Sequence, residues 1–223
     1  MVLQEFANRG LSIGEGIAVD ARLVKSASRP VSKEGLMELK EKRESAEGEV
    51  DKNGNALKIS RDAESDWTVT NAMPHYGLKE HASVDVKTVL VLATTMTPAS
   101  VHDSTHLPYS MLASYHPEEP IRKVYADKRY HGEPNRSFLY LNEVEDGIIR
   151  TDTRVAKITK VEVKRNNKIS KQRYIVEQFF GLSHLYQRAY RARFTMMMKN
   201  IWDAMCRQMA FNLLHGSRLI MGT

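Results

Sequence analysis

Apolar and polar positions along the chain fall into two rhythms. Ile17 to Val24 is a short apolar run broken at Asp20 and Arg22 and entered through Gly14 and Gly16. It predicts a first strand, with Asp20 inside or just beyond its apolar part. Residues 1–12 read as a helix end leading into it. His75 to Val86 and Val89 to Met96 are strand-like and separated by Lys87-Thr88, the pattern of a hairpin. Asp103 to Leu112 reads as a helix, with Asp103 suited to its N-cap. Ile121 to Ala126 is a short apolar strand that delivers Asp127. Pro134 opens a helix reaching about Glu143, and Asp146-Gly147 turns into a brief strand ending at Arg150. Residues 151–170 show no clear period. From Lys171 the pattern is helical, with Tyr174, Val176, Phe180 and Leu185 as a buried stripe. Phe194, Met198, Ile201, Met205 and Met209 recur at spacings of four, three, four and four, which predicts an amphipathic final helix with its methionines in the core.

Residues 26–70 break the rhythm. They are charged, with a short helical pattern at Leu36–Arg43 and a turn at Lys52–Asn55, and read as a mobile insertion or lid within one domain spanning 1–223. The order is three strands, helix, strand, helix, strand, long helix. Periodicity alone takes this to an α/β or α+β domain.

Charge changes the picture. From Arg154 to Arg218 there are 14 Lys and Arg against three acids, Glu162, Glu177 and Asp203, although the whole chain of 223 residues carries only +6. Such a segment suits a polyanionic partner, or is simply a solvated helical surface. Residues 151–170 then read as an exposed, DNA-facing connector. Arg188, Arg191 and Arg193, interleaved with Tyr186 and Tyr190, could grip a phosphate backbone. One cysteine, Cys206, excludes an internal disulfide and points to a reducing cytosol. No stretch reads as a secretory signal, and no apolar run approaches a membrane span.

Three acids stand out by their settings: Asp20 in GIAVDARLV, Asp127 in KVYADKRYHG and Glu177 in RYIVEQFFG. The first two follow apolar strand runs and the third lies on a helix. Two strand-borne carboxylates facing a helix-borne one could hold two divalent cations, the apparatus for in-line displacement at phosphorus. Each also has a plain structural use: Asp20 and Asp127 as turn residues, and Glu177 as the partner of Arg173 four residues earlier. Lys79 and His81 sit two apart and share one face of a strand, whose plain structural use is a solvated surface. His102 and His106 have a metal-like spacing of four but no evident third ligand.

GIAVDARLVKSAS, HYGLKEHASVDVK, LATTMTPASVHDS, VYADKRYHG, EDGIIR and SKQRYIVEQFFGLSHLYQRAYRARF occur in this order over roughly residues 10–215. Together they resemble the bacterial insertion-sequence DDE transposases of the IS-four/IS-five-like group. The resemblance implies an RNase H-like catalytic domain, α/β with a mixed sheet and helices on both faces, carrying the charged insertion after its first strand. It implies metal-dependent DNA strand cleavage and strand transfer, with Asp20, Asp127 and Glu177 holding two Mg²⁺ or Mn²⁺ ions and Asp20 bridging them. Lys79, His81, Arg173, His184, Arg188, Arg191 and Arg193 become candidate contacts to double-stranded DNA, at transposon ends and target. The resemblance also implies that the face shared by Lys79 and His81 turns toward the acids. A homodimer in a synaptic complex and a place in the bacterial cytoplasm at the nucleoid follow from the same likeness. Two positions depart from the family pattern. His184 stands where a lysine is usual, and Arg129 stands where a glycine follows the second aspartate, a source of strain if that turn needs a positive φ. Relatives carry an N-terminal repeat-reading region. With only 19 residues before Asp20, the chain is expected to lack it. A non-catalytic DNA-binding remnant and an RNase H-like nuclease are the alternatives.

Overall fold

The computed structural model describes residues 2–11, 14, 16–45, 50, 52–55, 62–114, 120–154 and 156–222. In chain order the elements are α1 (Val2–Asn8), β1 (Ile17–Lys25), α2 (Lys33–Ser45), β2 (Asp66–Thr70), β3 (Met73–Asp85), β4 (Val91–Pro98), α3 (Leu107–Ala113), β5 (Lys123–Ala126), α4 (Glu133–Leu141), β6 (Glu145–Ile148), α5 (Lys160–Gln187) and α6 (Met197–Met221). The fold is mixed α/β. One six-stranded sheet runs β2-β3-β1-β5-β6, with β4 paired to β3. β1 is antiparallel to β3 and parallel to β5, and β6 is parallel to β5.

Strand alternation sorts the core into two layers. Ile17 and Val19 of β1 pack with Leu107, Met111 and Leu139 of α3 and α4. Ala18 faces the other way, into Val176, Phe179, Phe180 and Phe211 of α5 and α6. The β5–β6 pairing needs Gly147: a Cβ there would lie 2.4 Å from the Val124 carbonyl oxygen.

On the α5 side the sheet also carries buried charge. Glu80 of β3 is fully buried and accepts from Arg22 of β1 at 2.6 Å, while Arg207 of α6 lies 3.4 Å away. Arg22 also donates to the Phe180 carbonyl and stacks on that ring at 4.7 Å. Asp203 pairs with Arg207 and with Arg193.

The final helix reverses its predicted orientation. α6 turns Asn200, Ala204, Arg207, Phe211, Asn212 and Gly216 inward. Met198, Trp202, Met205 and Met209 point out, Trp202 being 62% exposed. The free edge of β4 explains this. Asn212 exchanges hydrogen bonds with both backbone groups of Val91, and Gln208 donates to the carbonyls of Val91 and Leu92. Unpaired strand groups at a covered edge cost more than outward methionines do.

Other boundaries also move. The histidine at 102, rather than Asp103, caps the turn Asp103–His106, its side chain accepting from the Ser104 N–H. Tyr174 and Leu185 of the expected buried stripe are exposed, whereas Val176 and Phe180 are buried. Within the charged 26–70 stretch, α2 buries Leu36 and Leu39, and β2 pairs with β3. Lys40 pairs with Asp66 at 3.2 Å and Trp67 donates to the Val31 carbonyl. Residues 46–49, 51 and 56–61 of the expected insertion lie outside the described residues.

Candidate active site

The parallel register of β1 and β5 pairs Ile17 with Val124, Ala18 with Tyr125 and Val19 with Ala126. The next position sets Asp20 beside Asp127, on strands roughly 5 Å apart. Asp20 lies one residue beyond the pair whose side chains enter the α3 layer, so it turns toward α5. Its Oδ1 accepts from the Ala21 N–H at 2.9 Å. Asp127 accepts from the Lys128 N–H and caps the 3-10 turn Lys128–Tyr130. Arg129 in that turn has no positive φ, so the glycine departure introduces no strain there.

α5 supplies the third acid. It begins at Lys160, eleven residues earlier than periodicity predicts, because Thr159 and Glu162 form a reciprocal capping box. The basic 151–170 connector is therefore half helix. Ile169, Val176, Phe180 and Ser183 are buried on the sheet side, and Arg173 falls in the same line. Its guanidinium bridges two carboxylates: Nη1 lies 2.5 Å from Asp20 Oδ2 and Nη2 lies 3.0 Å from Glu177 Oε1.

Burial pushes the Asp20 carboxyl up to about 6, against the pull of Arg173; the nearby Asp127 and Glu177 add to the rise. Burial likewise holds the Tyr130 phenol well above its usual range, with Asp20, Asp103 and Asp127 acting in the same direction. Among the described residues no three carboxylate, imidazole or thiol groups form a ready-made metal cage. The donor set nevertheless fits a hard divalent cation. The groups present are carboxylate oxygens, the donors such a cation takes, and a positive group, the Arg173 guanidinium, sits between two of them.

Residues 12–194 match the transposase DDE domain family. The chain belongs to the DDE transposase family. It is also 31% identical, over 219 residues, to the transposase for insertion sequence element IS1106 of Neisseria meningitidis serogroup B, covering 96% of this chain and 70% of that protein.

The other expected contacts of the transposase are distributed unevenly. Lys79 and His81 do not face the acids. β3 pairs Ala82 with Asp20, so its odd-numbered neighbours project to the opposite side of the sheet. There Lys79 is buried, 2.7 Å from Asp103 Oδ1 and donating to the Val101 carbonyl. His81 bonds Thr97 Oγ1 at 2.9 Å and packs on the ring of His106 at 4.1 Å. The His102–His106 pair is thereby divided between a cap and a ring stack. Arg191 donates to the carbonyls of Ser26 and Ala27, and Arg193 pairs with Asp203, so both are engaged in holding the chain end of α5. His184 is exposed, its ring 5.2 Å from that of Tyr190, and Arg188 is exposed at the left-handed C-cap of α5.

A groove of about 670 Å³ lined by Lys123, Tyr125, Lys164, Lys168 and Lys171 lies against α5 but apart from this chemistry. Lys168 and Glu177 are nine residues apart, half a turn around the helix at about 100° per residue. No helix among the described residues is long and apolar enough to cross a membrane.

His81 carries a pH prediction. Burial, with smaller contributions from His106 and Lys79, lowers its pKa to about 2. The imidazole therefore stays neutral in the folded chain while the unfolded chain protonates near 6.5. Stability from this residue is full above pH 6.5 and is lost as pH falls, at about 1.4 kcal/mol per pH unit. His81→Gln retains a donor toward Thr97 and removes the titration. Urea unfolding at pH 7 and pH 5 should show the variant losing about 2 kcal/mol less than the wild type. Equal losses would show that His81 is protonated in the fold.

Proposed function

We propose that this chain cleaves DNA strands at the ends of an insertion sequence and transfers them into target DNA, with Asp20, Asp127 and Glu177 as the metal-holding residues. The observation that carries this reading is the Arg173 guanidinium spanning Asp20 and Glu177, with Asp127 adjacent in register. Two Mg²⁺ or Mn²⁺ ions bound by these carboxylates would activate the attacking oxygen and stabilise the leaving one. Asp20, central on β1, would serve both. Arg173, released from its carboxylates, is positioned for a phosphate oxygen, which its planar fork suits. His184 and Arg188 lie exposed at the end of α5, where phosphate contacts position DNA without reading its sequence. The six-stranded mixed sheet with α3 and α4 on one face and α5 and α6 on the other supports an RNase H-like arrangement. With DNA as substrate, the place of work is the nucleoid in the bacterial cytoplasm.

A second copy of the chain belongs to this reading. Met198, Trp202, Met205 and Met209 face outward at spacings of four, three and four, the seam of a two-stranded coiled coil. With Leu213 they present on the order of 500 Å² of apolar surface, against about 800 Å² per partner in a standard interface. Sedimentation should show a dimer that Trp202→Glu dissociates; a monomeric wild type would remove α6 as the docking face.

The test of function is incubation with labelled duplex DNA carrying the element's terminal repeats, supercoiled target and Mg²⁺. Joined products are expected. Nicks without joining would favour a nuclease, and binding without breakage a non-catalytic remnant.

A further inference from the structure

Two exposed positions of α5 run against local propensity. Gly181 lies inside the helix, which continues to Gln187, and there glycine is the least favourable residue after proline. In α6 the comparable glycine has a cause in the fold: a Cβ on Gly216 would lie 2.5 Å from the Phe6 ring. Gly181 has none. It is exposed, and a Cβ there would meet no atom within 4 Å among the described residues. Arg188 is the converse case. It closes α5 at φ 53° and ψ 35°, the left-handed conformation that usually falls to glycine. Positions where local preference is overridden without a packing reason point to function.

Both belong to the side of α5 that carries Glu177. At about 100° per residue, Gly181 stands about 40° from Glu177 around the helix and about 6 Å further along it. His184 follows on the same side at about 10 Å, and Arg188 closes it at about 16 Å. His184 and Arg188 are both exposed. From Arg173 to Arg188, Glu177 is the only acid. The length from Glu177 to Arg188 matches about five nucleotides of a duplex strand, at about 3.4 Å each. A polyanionic strand laid along this side would reach the helix backbone only where a side chain is missing.

We propose that a DNA strand runs along this side of α5 and meets the helix at Gly181, where the missing side chain lets a sugar–phosphate unit lie against the backbone, with His184 and Arg188 holding the phosphates beyond it. This rests on DNA as the substrate. A second protein chain would meet cationic groups on both sides of the gap, an arrangement that favours a polyanion instead.

The test compares Gly181→Ala and Gly181→Leu with the wild type, each as the full chain. Urea unfolding without DNA is read beside sedimentation and beside affinity for a labelled duplex of mixed sequence at several salt concentrations. Both variants should unfold at higher urea than the wild type, because alanine and leucine are better helix formers. DNA affinity should fall all the same, about tenfold for alanine and further for leucine. The salt slope should hold, since no charge is lost, whereas Arg188→Ala should flatten it by about one. Wild-type DNA affinity in both Gly181 variants would overturn the contact and leave the proposed function standing. A lower urea midpoint for Gly181→Ala would show that the fold itself needs the glycine, and would overturn it too. Loss of self-association with DNA affinity intact would assign the gap to a second copy of the chain. Failure of the wild type to bind duplex DNA would instead remove the reading of DNA as substrate beneath it.

Discussion

Replacing Asp20 by asparagine should remove Mg²⁺-dependent DNA cleavage by at least about 10³-fold while leaving a chain that folds and is more stable. The two effects share a cause. Asp20 is largely buried on β1, and burial lifts its carboxyl to about 6. Holding the charged form at pH 7.5 without a cation therefore costs on the order of 3 kcal/mol, at about 1.4 kcal/mol per pKa unit. Asparagine keeps the shape and can still accept from the Ala21 N–H, but gives up the charge that would hold a cation. In metal-free buffer, urea unfolding of the variant should show a gain of up to about 3 kcal/mol, a figure that already includes the pull of Arg173 on the carboxylate. DNA affinity should stay within a few-fold, because phosphate contacts supply it. Cleavage retained within tenfold of wild type would remove Asp20 from the chemistry.

The largest stability effect is expected at Glu80, far from any proposed step. Glu80→Leu should destabilise the chain by about 3–5 kcal/mol, because Arg22 and Arg207 would keep buried charge without a counter-ion. A smaller loss is expected if Arg207 is removed at the same time, since a well-packed apolar pair often equals a buried ion pair. The double variant Glu80→Leu/Arg207→Met should recover at least half the loss in urea unfolding. A mild effect of Glu80→Leu alone, below about 1 kcal/mol, would show that α6 is not tied to the sheet through this cluster.

Much of the architecture was legible in the chain because its strands are β-branched runs bounded by glycine and proline. That is why Asp20 could be placed on the first strand and Asp127 at the end of a later one, and why the parallel pairing of those strands brings them side by side. The start of α5 was also written in the sequence, though not as a period. Thr159-Lys160-Val161-Glu162 is a capping box, whereas the following VKRNNK has no apolar rhythm to read. The faces of Lys79 and His81 were not legible. Strand side chains alternate, so a one-residue change in pairing between β3 and β1 exchanges the two faces. The inverted α6 had the same origin at a larger scale. Periodicity located its methionine stripe correctly but could not reveal that the free edge of β4 needs Asn212 and Gln208. Glu80 lay in plain view in GLKEHASVD. Nothing in that stretch distinguishes a buried charge hub from an ordinary surface residue.

Asp20, Asp127 and Glu177 are proposed to form one metal-holding site, in which Arg173 joins Asp20 to Glu177. Crystals soaked in Mn²⁺ and measured at an anomalous wavelength test it most directly. An anomalous peak is expected within about 2.5 Å of carboxylate oxygens of Asp20 and Asp127, with the Arg173 guanidinium withdrawn from Asp20 Oδ2. A peak located elsewhere, or none while Arg173 still joins Asp20 to Glu177 in saturating Mn²⁺, would contradict it.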